Sequence, residues 1–186
     1  MFFTGYERRF EDIMEFYKRY YACMNILEAT ILVFHGDRKE SAYPLDKSFE
    51  RVYKLTEEAA RWGVIVAQEN VTRCRSRDPH YLLEMKRAVP NARFVLDIKQ
   101  AVRSGQDPFD LARLLGNSLV HVHASDHNKE KDCLPIGKGD FDFKNFFQLL
   151  KSLDYQGDVI LELYRENFGD INELISSVKN MAIYYN

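Results

Sequence analysis

The sequence predicts an α/β fold built on a parallel sheet, and three observations carry that reading. Hydrophobic periodicity switches repeatedly between helical three- and four-residue spacing and short apolar runs. Those runs are almost continuously apolar rather than alternating, so both faces need covering, the condition of parallel strands flanked by helices. Apolar runs and helical segments alternate along the whole chain, with no linker or low-complexity stretch between them.

The elements follow in order. Residues 7–28 place Phe10, Ile13, Met14, Tyr17, Tyr20, Tyr21, Met24 and Leu27 at helical steps, an amphipathic helix. Phe10, Tyr17, Tyr20 and Tyr21 of this helix join Phe2, Phe3, Tyr6 and Phe16 in an aromatic set expected to pack on the sheet or to serve as an oligomer surface. Ala29–His35, closed by Gly36, reads as the first buried strand. A helix over 46–62 uses Phe49, Val52, Leu55, Ala59 and Trp62, and Gly63–Glu69 is the second strand. Residues 79–88 read as a helix and Ala92–Asp97 as the third strand. Asp107-Pro108 supplies a cap and a first-turn proline for a helix that Gly116 ends. Leu119–Ser125 is the fourth strand; Asp142 opens a helix carrying Phe146, Phe147, Leu150 and Leu153; Asp158–Glu162 is the fifth strand. The last helix starts at Asp170 with Glu173 placed as in a capping box, and is expected to bury Leu174, Ile175, Val178 and Met181. An open doubly wound sheet and a (β/α) barrel both satisfy this order, although HGDRKES after the first strand lacks the GxGxxG of a dinucleotide fold.

Composition narrows the function classes. The 186 residues, 21.9 kDa, suit one domain, and 46% hydrophobic against 29% charged residues allows a packed core. Lys+Arg 26 against Asp+Glu 28 leaves a net charge of −2, without the basic excess usual in nucleic-acid binders, so a nucleic-acid partner is not expected. No apolar run approaches the ~20 residues of a membrane span, and the N-terminus lacks the order of a signal peptide. Cys23, Cys74 and Cys133 are too few and too scattered for a disulfide framework or a metal knuckle. The expectation is a reduced, cytoplasmic protein.

The polar residues carry the chemistry. Every strand runs apolar and then ends in an ionisable residue: His35, Glu69, Asp97, His123 (preceded by His121) and Glu162. One acid ending a strand is commonly a helix cap or a loop salt bridge, but five strands in succession point to a shared site at the sheet's C-terminal end. Glu69, Asp97, Glu162 and His123 form a hard-to-borderline ligand set suited to Mn²⁺ first, with Zn²⁺, Co²⁺ or Mg²⁺ as alternatives. Without a cation, three converging carboxylates repel one another and are driven to take up protons. By strand parity Lys99 joins Arg93, Val95 and Asp97 on the inward side.

At these residues the chain resembles the xylose-isomerase-like (β/α)-barrel superfamily of sugar epimerases, isomerases and apurinic endonucleases. The matching pieces are VFHGD at 33–37, VAQEN at 66–70, VLDIKQA at 95–101, HVHASD at 121–126, LPIGKGDFDF at 134–143 and YQGDVILE at 155–162, in the family's order. The resemblance implies a TIM-barrel type fold, incomplete, with about five β/α units corresponding to the family's strands 4–8. It further implies one domain over residues 1–186, shortened at its N-terminus, whose apolar sheet edges invite a homo-oligomer. Glu69, Asp97, His123 and Glu162 are then the metal ligands, Glu69 and Glu162 also the catalytic carboxylates, and His35, Lys99, Gln100 and His121 substrate-binding residues.

The implied activity is a metal-dependent sugar isomerase or epimerase acting on a small sugar or sugar phosphate, by proton abstraction α to a carbonyl. Two departures from the family pattern bear on it. Gln100 stands where many relatives have the histidine of DxxH, and the loop Glu130–Pro135 lacks the Asp-x-His of the endonucleases, so DNA cleavage loses most of its basis. The alternatives are a catalytically silent barrel remnant serving in association and, with less support, a sugar-acid dehydratase or endonuclease-like activity.

Overall fold

Five short strands lie side by side in chain order, and that order decides between the two architectures. The computed structural model describes residues 2–185. Strands β1 (Ile31–Phe34), β2 (Ile65–Glu69), β3 (Arg93–Asp97), β4 (Leu119–Ala124) and β5 (Asp158–Leu161) form one parallel sheet, each paired with its sequence neighbour. A doubly wound sheet would reverse its strand order at a switch point; an unbroken sequential order is that of a barrel wall. The sheet is accordingly a curled half-barrel, with β1 and β5 as its edges.

Among the described residues seven α-helices accompany it: α1 (Glu7–Ile26), α2 (Leu45–Arg61), α3 (Pro79–Ala88), α4 (Ile98–Arg103), α5 (Pro108–Leu115), α6 (Phe143–Ser152) and α7 (Ile171–Tyr185). The predicted starts are formed as chemistry demands. Asp107 accepts from Phe109 N ahead of Pro108, Asp142 from Asn145 N, and Asp170 from Asn172 N and Glu173 N, each satisfying orphan first-turn donors. Glu173 reaches back to Gly169 N, one residue before the cap.

The core lies between the helices and the outer face of the sheet. Phe34, Val66, Phe94, Leu96, Val122 and Ala124 point outward and pack against Leu55, Leu82, Met85, Leu111, Phe146 and Phe147. The inner, concave face carries the strand-end polar residues, and near the edges its apolar residues stay open: Ile65 is 38% and Ile160 42% exposed.

Several expectations need correction. Helix α4 was not foreseen: β3 ends at Asp97, so Lys99 sits in a helical turn and strand parity does not govern it. In α7 Ser177 is buried and Leu174 and Met181 are half-buried, Met181 against the core, while Ile175 and Val178, with Ile171, are about half exposed or more because they lie on the side of the helix turned away from the core. The aromatic set divides: Phe3, Phe10 and Tyr21 are buried, whereas Tyr6, Phe16 and Tyr20 face solvent.

Register matters most at β3–β4. Phe94 pairs with Leu119 but Val95 with His121, so Val120 is an extra residue on β4. Without this bulge Asp97 would lie opposite Val122; with it, Asp97 lies opposite His123, and both histidines of β4 turn to the concave face.

Candidate metal centre

Four strands deliver one ligand each to a single point at the C-terminal rim of the sheet. One atom from each of Glu69, Asp97, His123 and Glu162 lies within 4.8 Å of all the others. His123 Nδ1 is central: 3.2 Å from Glu69 Oε1, 3.0 Å from Glu162 Oε2 and 3.8 Å from Asp97 Oδ2. Glu69, Asp97 and His123 are buried, and Glu162 is half-buried.

The backbone around the ligands is braced. Asp97 caps α4 through Gln100 N, which leaves Oδ2 for the cluster. Asn70 is buried and bonds both the amide and the carbonyl of Asp97. Gln68, on the outer face, donates to the carbonyls of Phe34, His35 and Glu69. At Gly36, with φ +79°, a Cβ would come within 2.5 Å of Gln68 Oε1, so both the backbone angle and this packing demand glycine. Asp126 gathers the loop beyond β4 by accepting from Gly137 N, Gly139 N and Phe141 N. Asn70, Gln68 and Asp126 lie inside the quoted motifs, but nothing local marks their partners, which come from other strands and loops.

Electrostatics follow from crowding three carboxylates around one imidazole. Burial works against charge on His123, yet hydrogen bonds to Asp97, Glu162 and Glu69 outweigh it and push the imidazole up to about 11. Burial would raise Glu69; His123 and His35 overcome it and hold the carboxyl at about 2. Hydrogen bonding to His123 likewise holds Glu162 far below the carboxylate range, whereas burial pushes Asp97 up. Without a metal, the proton on His123 and the buried ammonium of Lys99 together offset the three carboxylates.

The donor set fits a divalent cation. Asp97 Oδ2 and Glu162 Oε2 are buried and lie 3.8 and 3.0 Å from His123 Nδ1, so both oxygens already converge where an ion would replace the imidazole proton. Three carboxylate oxygens with one imidazole suit Mn²⁺, Zn²⁺, Co²⁺ or Mg²⁺.

The remaining predicted site residues surround this cluster at different distances. His35 Nε2 lies 3.0 Å from Glu69 Oε2, and its Nδ1 is 3.4 Å from Arg73 Nη2. His121 sits one inward position below His123, with ring centroids 5.2 Å apart and its Nδ1 without a partner. Gln100 stands apart: its Oε1 accepts from Thr72 N and Thr72 Oγ1, tying α4 to the loop after β2. Lys99 is fully buried against Asp97 and Glu162, which the sequence did not reveal. No helix among the described residues is long and apolar enough to cross a membrane.

Comparison with known proteins agrees with this fold. An uncharacterized protein of Methanocaldococcus jannaschii is 29% identical over 126 residues, covering 63% of this chain and 43% of that protein, so the match spans less than half of the relative's length. Among solved structures, a D-tagatose 3-epimerase-like protein superposes with a TM-score of 0.77 at 23% identity, covering 97% of this chain and 71% of that one. A D-psicose 3-epimerase from Clostridium cellulolyticum, solved with D-tagatose, gives 0.79 at 14% identity over 98% and 74%. The IOLI protein, solved with a bound zinc atom, gives 0.71 at 16% identity over 99% and 71%. The model of the xylose isomerase-like TIM barrel family matches residues 4–182, nearly the whole chain, and the protein belongs to that family.

Proposed function

We propose that the protein is a divalent-metal-dependent sugar isomerase or epimerase, with Glu69, Asp97, His123 and Glu162 holding the metal and Glu69 and Glu162 also moving the substrate proton. The observation that carries this is the pair of carboxylates flanking one position, Glu69 Oε1 and Glu162 Oε2 lying 3.2 and 3.0 Å from His123 Nδ1 on a concave, partly open face. A bound divalent ion supplies polarisation of a substrate carbonyl and its neighbouring hydroxyl. One of the two carboxylates removes the proton α to the carbonyl, leaving an enediolate, and the other or the same one returns it to the opposite face or the adjacent carbon. His35, hydrogen-bonded to Glu69, orients that carboxylate and a substrate hydroxyl. His121 and Lys99 are the further polar groups for substrate; Gln100, expected among them, is instead engaged by Thr72. The substrate class is a small sugar or sugar phosphate, the metal Mn²⁺ first, and the compartment the cytoplasm.

The test is solvent-deuterium exchange by the Mn²⁺-loaded chain across a panel of free and phosphorylated aldoses and ketoses. Exchange at the carbon next to the carbonyl is expected, with Glu69→Gln losing it by about 10³-fold while folding is retained. Absence of exchange with every sugar would sink the reading, and loss of water from a sugar acid would move the reaction to the dehydratase class.

A second reading, a catalytically silent association module, is favoured by the open concave face. The chain exposes 10437 Å², roughly 1,100 Å² more than the ~9,300 Å² typical of a monomer of this mass. That excess exceeds the ~800 Å² each partner contributes to a standard interface. Its occupant would be a second copy, burying Ile65 and Ile160. Sedimentation velocity should then show a dimer that Ile160→Asp dissociates; a monomer at all concentrations removes this reading.

A further inference from the structure

Lys99 is among the most deeply buried side chains of the molecule, at 2% exposure. A lysine is almost never enclosed to that degree unless its charge is paired. Its Nζ lies 3.4 Å from Asp97 Oδ2 and 3.3 Å from Glu162 Oε2. These are the two buried oxygens that also face His123 Nδ1. The ammonium therefore flanks the position a metal would take, sharing two of its ligand atoms.

The side chain is held there from behind. Tyr164, just beyond β5, places its ring 4.6 Å from Lys99 Nζ. Arg103, one helical turn after Lys99 on α4, lies against the same ring at 5.2 Å and donates from Nη1 to Tyr164 Oη at 2.9 Å. Asp132 in turn receives Arg103 Nη2 at 3.1 Å. Lys99 and Arg103, four residues apart, share one face of α4, so the short helix and the Tyr164 ring together fix the ammonium beside the carboxylates.

We propose that Lys99 is a tethered counter-cation of the metal centre, lowering the site's affinity for divalent ions and setting the charge that a bound substrate meets. The inference rests on the metal-site reading above. Three carboxylates and one ammonium leave a net charge of −2, which a divalent ion brings to zero. Without Lys99 the loaded site would carry −1 and would oppose negative charge building up on a substrate oxygen. With it, the loaded site accepts an enediolate-like or anionic ligand without residual repulsion.

The experiment is calorimetric titration of the 186-residue chain with Mn²⁺, comparing wild type with Lys99→Met, Lys99→Arg and Glu162→Gln. Lys99→Met keeps the length and apolar stem of the side chain but removes its charge. It is expected to bind Mn²⁺ at least about tenfold more tightly, because a cation no longer sits beside the ion. Lys99→Arg keeps the charge and should stay within a few-fold of wild type. A wild type that binds no Mn²⁺ beside a Lys99→Met variant that does supports the proposal in its strongest form. Equal affinity in wild type and Lys99→Met, with Glu162→Gln losing the ion, overturns the role of Lys99 and leaves the metal site standing. No binding by any of the four chains overturns both. Circular dichroism of each variant keeps loss of folding separate from loss of binding.

Discussion

Asn70 grips Asp97 by both of its backbone groups: Asn70 Oδ1 accepts from Asp97 N at 2.7 Å and Asn70 Nδ2 donates to Asp97 O at 3.0 Å. The side-chain amide thus acts as one more rung between β2 and β3 where the strand ladder stops, at the residue that must present Oδ2 to the cluster.

Replacing Asn70 by alanine should cost about 2–3 kcal/mol of stability, since two buried backbone groups lose their partner. Mn²⁺ affinity should fall at least about tenfold because Asp97 is no longer held in place. Urea unfolding and metal titration of Asn70→Ala check the two effects separately.

The pH dependence of the metal-free chain follows from the cluster. His123 is raised from an ordinary value of 6.5 to about 11, so its contribution is full below pH ~6.5 and is lost as the pH rises toward 11. Glu69 is lowered from 4.5 to about 2, so its contribution is present above pH ~4.5 and disappears as the pH falls toward 2. Asp97, pushed up by burial, shifts in the opposite sense and softens the acid limb. Thermal melts in a chelator should show greatest stability between about pH 4.5 and 6.5, declining on both sides.

Adding metal should reverse the alkaline limb. A metal ligand must be deprotonated, so an ion displaces the proton of His123 and binding tightens as the pH rises from 5.5 to 8. At free Mn²⁺ of a hundred times Kd, the gain is about 2.7 kcal/mol, a rise of roughly 5–10 °C in Tm. Glu162→Gln should show neither the rise nor its pH dependence.

Gly139→Ala tests the loop that Asp126 organises. A Cβ there would collide with Asp126 Oδ1 and the carbonyl of His127, one of them backbone that cannot yield cheaply. Destabilisation of about 1–3 kcal/mol is expected, whereas Gly105→Ser, where a side chain meets open space, should cost only the strain of its positive φ. Denaturant midpoints of the two variants decide it.

The order of strands and helices is legible along the chain, because apolar runs, helical spacing and capping residues such as Asp107, Asp142 and Asp170 are local signals. The sequence also named His35, Glu69, Asp97, His123 and Glu162 as strand-end residues, since each closes its own apolar run. What it left undecided depends on contacts between segments distant in the chain. The bulge at Val120, which aligns His123 with Asp97, exists only in the pairing of β3 with β4. Lys99 was expected on the inward side as a continuation of β3; it does reach that side, but from the first turn of α4, and its burial depends on Glu162 and Tyr164 from the far end of the sheet. Gln100, adjacent in sequence, turns instead to Thr72. The apolar spacing of α7 is that of a core helix, and Leu174 and Met181 are partly covered, yet Ile175 and Val178 stay about half exposed. Periodicity reports which residues share a face; only the packed chain decides what, if anything, lies opposite it.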